Sequence, residues 1–255
     1  GWAMHAGIFG PLVERLAPHF ELHLLDLPGH GRSRDAGLPL RLDSAAAAVA
    51  ACVPERALWL GWSLGGLVAL QAAAAHAPRV RGLVMLAASP RFVRADDWAA
   101  GMDAAVFRNF ASELGRDYRG TLDRFLMLEA QGSDHVREEL KLLRAEVFAH
   151  GEPSADVLCD GLGLLEDSDL RAVLPALAMP SLWLAGRRDR LVSPAAMRAA
   201  AESAPPPGTA PRSRGSHRRP PPVRAAPTAH HAAPVDSALA MARWSAPVPE
   251  PPDCA

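Results

Sequence analysis

A serine between two glycines is the first residue of this chain that could do chemistry. The segment Gly61-Trp62-Ser63-Leu64-Gly65 follows a short apolar run and precedes a stretch rich in Ala and Leu. A tight turn from a strand into a helix strains the serine, small neighbours relieve the crowding, and the helix N-terminus favours developing negative charge. Ser63 is therefore a candidate nucleophile for acyl transfer. The alternative is that Ser63 only caps the helix.

A nucleophilic serine needs a base that accepts its proton and an acid that orients the base. Asp189 ends Gly186-Arg-Arg-Asp189, directly after an apolar run. An acid at the carboxyl end of a parallel strand would face the same crevice as Ser63, so Asp189 is the candidate acid. A turn-forming aspartate is the alternative. Weaker candidates are Asp160, Asp167 and Asp169.

These side chains require a sheet that places them together. Apolar runs predict strands at 19–26, 57–61, 80–87 and 179–186, and the composition of 64–76 predicts a buried helix. Such strands, separated by helices, are typical of a parallel sheet covered on both faces. Apolar residues then recur at intervals of three and four from 91 to 174, which predicts a helical insertion. Residues 1–90 and 175–204 are thus the two parts of one α/β core.

The last segment, 205–255, differs in composition from the rest of the chain. It holds 13 of the 24 prolines and sustains neither helical nor strand periodicity. We expect it to be irregular.

Composition limits the classes of function. The chain has 255 residues, 49% of them hydrophobic, and a net charge of −1, which argues against nucleic-acid binding. No apolar run approaches the roughly 18 to 20 residues of a membrane span. Cys52, Cys159 and Cys254 are widely spaced, with no histidine at ligand spacing, so we expect neither disulfide nor zinc. We expect a cytoplasmic monomer without metal or cofactor, and without a nucleic-acid or membrane partner.

Four motifs give the chain a resemblance to a known family. They are Gly1-Trp2, the segment Asp-Leu-Pro-Gly-His-Gly-Arg-Ser at 26–33, the serine turn at 61–66, and 186–192. Together they resemble the α/β-hydrolase superfamily. Segments 59–68, 123–128 and 156–165 resemble, more narrowly, the biotin-synthesis carboxylesterases that hydrolyse pimeloyl-[acyl-carrier-protein] methyl ester. The resemblance spans residues 1 to about 204. It implies an α/β-hydrolase fold, a helical cap at 91–174 and cofactor-free ester hydrolysis.

The resemblance also implies roles for particular residues. Ser63 would be the nucleophile and Asp189 the orienting acid, while the backbone N–H groups of Trp2 and Leu64 would form the oxyanion hole. The acyl chain of the substrate would be lined by Trp2, Trp62, Phe125, Leu126 and Met127. At helical spacing, the alternative for these apolar side chains is plain core.

Cations in the cap would dock the acidic acyl-carrier protein that bears the ester. The resemblance assigns this role to Arg124, Arg137 and Lys141. The alternative is an ordinary salt-bridged helix face, since Glu138 and Glu139 lie between the last two.

The resemblance places the catalytic histidine about 28 residues after the acid. His217 has that spacing but lacks the Pro-Phe context, and His230 and His231 are the alternatives. Codons for 220–228, read one nucleotide later, permit His-Arg-Pro-Phe-Val-Leu-His-Pro, which is the expected motif. We therefore hypothesise a frameshift that enters between Glu202 and Gly215.

The resemblance also places strands before Gly1, so we expect an amino-terminally truncated chain. Three functional alternatives to the narrow resemblance stay open. They are a general short-chain carboxylesterase or other hydrolase of this fold, a non-catalytic binding member, and an inactive fragment.

Overall fold

Four parallel strands form the centre of the fold. The computed structural model describes residues 1–130, 136–149, 151–205 and 233–235. Neighbouring strands pair in chain order, with Leu60 opposite Val84 and Val84 opposite Leu182. The strands are β1 (Ala57–Trp62), β2 (Val80–Leu86), β3 (Ser181–Gly186) and β4 (Ala233–Val235). Their carboxyl ends lie at one edge of the sheet, where Ser63 and Asp189 follow β1 and β3.

Two sequence-based expectations differ from this sheet. The predicted strand at 19–26 is wrong, because residues 21–27 are not in a strand and no described segment pairs with them. A strand needs a hydrogen-bonded neighbour, and here Phe20 and Leu24 stay about half exposed. In the segment expected to be irregular, β4 pairs with β3, Leu184 opposite Ala233. The strands predicted at 57–61, 80–87 and 179–186 are confirmed as β1, β2 and β3.

Helices of the core cover the sheet. Helix α3 packs against β1, β2 and α2, and α8 packs against β3. Leu64, Leu67 and Leu70 of α3 are fully buried, which explains why its sequence has almost no polar residues. The core helices are α1 (Gly10–Leu16), α2 (Leu42–Cys52), α3 (Leu64–Ala75) and α8 (Pro194–Ser203). None of the helices in the described ranges is long and apolar enough to cross a bilayer.

Four helices form the insertion, which we call the cap. They are α4 (Ala104–Leu114), α5 (Tyr118–Ala130), α6 (Val136–Ala149) and α7 (Ala155–Asp167). Helix α4 packs on α5 and α7, α5 packs on α6, and α7 reaches α3. The first residues of the insertion are not helical: 91–103 is an irregular segment, with Val93 bridged to Met102. The cap therefore rests directly on the helix that follows Ser63.

An ion-pair network ties the two ends of the cap together. Arg171 places its Nη2 at 2.7 Å from Asp169 Oδ2 and its Nη1 at 3.0 Å from Asp97 Oδ2. Arg91 binds the same Asp169 oxygen at 2.7 Å, and the Arg171 guanidinium lies 5.4 Å from the Trp98 ring centroid. Hydrogen bonds from Arg171, more than any other contact, hold the pKa of Asp169 well below its usual range. Asp169 is thus a structural ion-pair partner.

Candidate active site

Ser63 stands at the turn between β1 and α3 in a backbone conformation that is rare for a residue with a side chain. Its φ is 51° and its ψ is −122°, and its N–H donates to the carbonyl of Leu86 at 3.1 Å. Its side chain makes no capping hydrogen bond to α3, so the capping alternative does not describe this serine. Ser63 is only 5% exposed.

Two glycines allow this turn to form. A Cβ atom on Gly61 would lie 2.5 Å from the backbone oxygen of Gly65. A Cβ atom on Gly66 would lie 2.2 Å from the Cβ of Ala88. Neither neighbour is the end of a flexible side chain, so both positions require glycine. The Gly-x-Ser-x-Gly-Gly pattern therefore has a steric cause at the turn itself.

The two backbone donors expected for the oxyanion hole have no other partner. The N–H of Leu64 is the first of α3, and neither it nor the N–H of Trp2 donates a hydrogen bond to any described residue. Ala3, next to Trp2, has a φ of 59°, and Ala87, directly after β2, has a φ of 41°. Ala3 and Ala87 thus share a positive φ with Ser63. Backbone strain of this kind clusters at sites that need a fixed geometry. Both N–H groups are therefore without a partner among the described residues, which is what the expected oxyanion hole requires.

The Trp2 side chain is held by the cap rather than exposed to a channel. Its Nε1–H donates to the carbonyl of Leu158 at 2.8 Å, and it is fully buried. Its ring lies 4.6 Å from that of Phe125, edge to face, and a Cβ on Gly161 would lie 2.8 Å from its Cδ1. Helices α5 and α7 thus contact the side chain of Trp2, whose backbone N–H is one of the two candidate oxyanion donors.

The other residues expected to line the acyl chain divide into two groups. Trp62, Phe125 and Leu126 are at most 3% exposed and belong to the hydrophobic core. Met127 is 47% exposed. Successive helical residues point about 100° apart, so Met127 faces away from the side of α5 that carries Phe125 and Leu126.

Asp189 lies in the loop after β3 and is partly buried. Its Oδ1 accepts hydrogen bonds from the N–H groups of Leu191 at 2.9 Å and Val192 at 2.8 Å. Burial raises the pKa of Asp189, and these two hydrogen bonds oppose that shift. Asp189 therefore shapes its own loop, as the turn alternative expected. Its Oδ2 accepts no hydrogen bond from the residues that the structure describes.

The candidate base falls outside the described residues, as do its alternatives: His217, His230 and His231. The stretch that would carry the hypothetical frameshift also lies mostly outside them. Among the described histidines, His30 is fully buried in the 26–33 motif, with Nδ1 at 3.1 Å from the Pro28 carbonyl. Its Nε2 has no hydrogen-bond partner there, and burial lowers the pKa of His30 to about 4. In the ranges described, no three His, Cys, Asp or Glu side chains are grouped to hold a metal ion.

The three candidate docking cations have different surroundings. Arg124 binds Glu113 Oε2 at 2.7 Å and Asp117 Oδ2 at 3.5 Å, so it already belongs to an ion-pair network of the cap. Arg137 and Lys141 are exposed on α6, one turn apart. The salt-bridge alternative therefore fits Arg124.

Comparison with known proteins decides the family. A family model described as alpha/beta hydrolase fold matches residues 1–212. The chain belongs to the alpha/beta hydrolase family. This alpha/beta hydrolase has solved structural relatives that agree in fold, as expected from the serine turn and parallel sheet. An esterase of Exiguobacterium antarcticum superposes with a TM-score of 0.72 at 21% identity, over 80% of this chain and 77% of the esterase.

Close sequence relatives of the hydrolase carry one name. A protein of Xanthomonas campestris pv. campestris (strain B100), named pimeloyl-[acyl-carrier protein] methyl ester esterase, is 60% identical over 205 residues, 80% of each chain. A protein of the same name from Stenotrophomonas maltophilia (strain R551-3) is 58% identical over 201 residues, 79% of this chain and 77% of the relative. The resemblance read from the sequence motifs is confirmed.

One carboxyl that sequence reasoning did not single out lies near Asp189. Glu129 lies near the end of α5, partly buried, and the carboxyl of Asp189 is close enough to act on it. Burial, and then the Asp189 charge, raises the pKa of Glu129 to about 8. The signal was present in the sequence: Glu129 follows Phe125 by four residues and so shares its face of the helix.

Proposed function

We propose that this alpha/beta hydrolase is a serine carboxylesterase that hydrolyses the methyl ester of pimeloyl-acyl-carrier protein in biotin synthesis. The observation that carries the proposal is its 60% identity, over 205 residues, to a protein named for that ester. The strained Ser63 turn and two unpartnered N–H groups supply what ester hydrolysis requires.

The first half of the reaction forms an acyl-serine. The base takes the Ser63 proton as Oγ attacks the ester carbonyl carbon, and the oxyanion binds the N–H groups of Trp2 and Leu64. One such donor is typically worth about 3 to 4 kcal/mol. The tetrahedral intermediate then breaks its carbon–methoxy bond, and the base returns the proton so that methanol leaves. Asp189 orients the base, for which His217 is our candidate.

The second half of the reaction returns the free enzyme. The base takes a proton from water, whose oxygen attacks the acyl-serine carbonyl carbon. The bond to Ser63 Oγ breaks, Ser63 regains a proton from the base, and the carrier-bound carboxylic acid is released. No metal or organic cofactor takes part in the proposed reaction.

The cap supplies the substrate contacts in this proposal. Trp62, Phe125 and Leu126 wall the acyl site beside Trp2, and their burial supports a dry environment for the oxyanion. The exposed cations Arg137 and Lys141 attract the acidic carrier. We further propose a cytoplasmic monomer without nucleic-acid or membrane partners, on the basis of its composition and near-neutral charge.

Replacing the nucleophile tests the proposal. Ser63→Ala should abolish hydrolysis of the carrier-bound methyl ester and of p-nitrophenyl esters, and also labelling by a fluorophosphonate. Ser203→Ala is the matched control, since Ser203 is exposed on α8 and its hydroxyl binds only the Ala199 carbonyl within the described residues. Circular dichroism of both variants verifies that the fold is retained.

Three results would contradict the proposal in different ways. Turnover by Ser63→Ala would exclude this nucleophile. A wild type with the same kcat/KM for free short-chain methyl esters as for the carrier-bound ester would be a general carboxylesterase. A wild type that binds the ester without hydrolysis or labelling would be a non-catalytic member or an inactive fragment.

A further inference from the structure

His5 joins the turn that carries Trp2 to helix α6 of the cap. It is 5% exposed, and its Nδ1 accepts a hydrogen bond from the N–H of Gly7 at 3.0 Å. An imidazole nitrogen that accepts a hydrogen bond carries no proton, so the one N–H of the ring is on Nε2. Nε2 donates to the backbone carbonyl of Glu146, 141 residues along the chain. The contact is therefore a directed hydrogen bond from the core to the cap.

The carbonyl that His5 binds is one that helix α6 does not satisfy by itself. The last four carbonyls of an α-helix have no N–H donor within the same helix. Glu146 is the first of the last four residues of α6, so its carbonyl needs a donor from elsewhere. His5 supplies that donor and thereby fixes the end of α6 against the core.

The segment around His5 is itself held by the core. The N–H of Ala6 donates to Asp26 Oδ1 at 2.5 Å, and Asp26 Oδ2 accepts the N–H of Arg32 at 2.8 Å. A Cβ atom on Gly31 would lie 2.5 Å from the Cβ of His5, so the loop after Asp26 packs tightly against His5. His5 thus lies between a firmly bonded part of the core and the end of a cap helix.

Helix α6 carries the two cations to which we assign carrier docking. Arg137 and Lys141 are exposed, whereas Leu143 and Val147 are buried on the inner side of the helix. At a rise of about 1.5 Å per residue, Lys141 lies roughly 8 Å and Arg137 roughly 14 Å along the helix axis from Glu146. A shift of the helix end that His5 binds would therefore move both cations relative to the oxyanion turn.

We propose that His5 is a positioning residue for carrier docking, whose bond to the Glu146 carbonyl holds the two cations of α6 in place relative to Ser63. This inference rests on the proposed hydrolysis of a carrier-bound ester and adds a specificity-determining residue to it. A carrier docked on α6 presents its ester at a fixed reach, so the position of the helix decides how well the ester carbonyl carbon meets Ser63 Oγ. A free ester has no such tether and does not need α6.

Two substitutions of His5 separate its two hydrogen bonds. His5→Asn places an amide oxygen near the position of Nδ1, which keeps the bond from Gly7, but it is too short to reach Glu146. His5→Gln places an amide N–H near the position of Nε2 and keeps the bond to Glu146.

The two variants should therefore differ on the carrier-bound methyl ester. His5→Asn should lower kcat/KM about three- to tenfold, the usual effect of one lost hydrogen bond, whereas His5→Gln should stay within about twofold of wild type. On a p-nitrophenyl ester, both variants should stay within about twofold of wild type, since a free ester does not dock on α6.

The experiment measures kcat/KM of the full-length proteins on both esters. The matched control is His19→Asn, which changes an exposed histidine after α1. A double-mutant cycle adds His5→Asn to the charge-reversal variant Arg137→Glu, Lys141→Glu. Once docking is lost, the position of α6 no longer matters, so His5→Asn should cause no further loss on the carrier-bound ester. A residue that only stabilised the fold would multiply the two losses. Circular dichroism verifies the fold of each variant.

The role is supported by a loss on the carrier-bound ester alone in His5→Asn, its recovery in His5→Gln and a non-additive cycle. It is overturned if His5→Asn causes no loss, slows both esters equally or does not fold. Equal losses in the Asn and Gln variants, or losses that multiply in the cycle, also overturn it.

Charge reversal that leaves the carrier-bound ester unaffected overturns the role as well, because α6 would then not be the docking helix. Hydrolysis by the wild type in that case leaves the proposed esterase reaction standing. A wild type that hydrolyses no ester overturns both proposals together.

Discussion

At the scale of the residue, the strained backbone of Ser63 is the feature that ties sequence to chemistry. Its φ of 51° with a ψ of −122° is a conformation that glycine adopts far more readily than serine. Such strain costs of order 1–3 kcal/mol and persists only where the surroundings enforce it. The hydrogen bond from Ser63 N–H to Leu86 and the packing of α3 are the enforcing contacts.

The strain can be measured with two variants that both lack the hydroxyl. We expect Ser63→Gly to be more stable than Ser63→Ala by roughly 1–2 kcal/mol, since glycine relieves the strain and loses part of that gain to unfolded-state entropy. Urea denaturation gives the comparison, and neither variant should hydrolyse esters. A Ser63→Gly protein less stable than Ser63→Ala would show that the turn stores no strain, because only the entropic cost of glycine would then remain.

At the scale of the element, helix α3 approaches the sheet so closely that its first turn has room for a side chain on one side only. Gly66 faces β2 and the residues after it, and its missing Cβ leaves space for Ala88. Gly65, the preceding residue, has nothing within 4 Å of the position a Cβ would take. Close packing therefore requires glycine at position 66 but not at position 65.

Replacing each of these two glycines with alanine tests this difference in packing. Gly66→Ala should lower the free energy of unfolding by about 1–3 kcal/mol, because the added methyl overlaps Ala88 and must displace α3 or β2. Gly65→Ala is the matched control and should be neutral, or stabilising by up to roughly 1 kcal/mol through helix propensity. Thermal and urea unfolding measure both. A Gly66→Ala protein as stable as Gly65→Ala would contradict the close packing.

At the scale of the whole molecule, the cap and the core form one buried unit above the nucleophile. Trp2 of the core is bonded to Leu158 of α7 and packed on Phe125 of α5. The network of Arg171 and Asp169 fastens the point where the chain returns to the core. Arg137 and Lys141 are exposed on α6, the cap helix that packs on α5.

Charge reversal on that face tests carrier docking. The double variant Arg137→Glu, Lys141→Glu should raise KM for the carrier-bound ester roughly tenfold or more, since two attractive charges become repulsive. Hydrolysis of p-nitrophenyl esters should be unchanged. The wild-type preference for the carrier-bound ester should also weaken as salt is added.

Arg56→Glu serves as the control for this surface, because Arg56 is exposed in the loop before β1, outside the cap. It should leave KM for both substrates as in the wild type. Docking at Arg137 and Lys141 would be excluded if the double variant slowed the two esters equally.

Much of the fold could be predicted from apolar runs, and the exceptions have physical causes. Strands β1 to β3 and helix α3 were predicted because their burial on all sides leaves a continuous apolar run. The segment 19–26 has a similar apolar pattern but no hydrogen-bonded neighbour among the described residues. The residues of a strand do not show by themselves whether a partner strand will lie beside it. Met127 is half exposed while Phe125 and Leu126 are buried, because residues adjacent in a helix point in different directions.

The sequence by itself determined the nucleophile turn and the fold class, because both depend on local sterics and on the period of apolar residues. Only the tertiary structure decided which charged groups matter. Asp169 forms ion pairs with Arg91 and Arg171. Glu129 lies near Asp189 and has no hydrogen-bond or ion-pair partner among the described residues. The ionisation of a group depends on its desolvation and on charged groups from distant parts of the chain. A local sequence pattern does not show how close those groups lie in the fold.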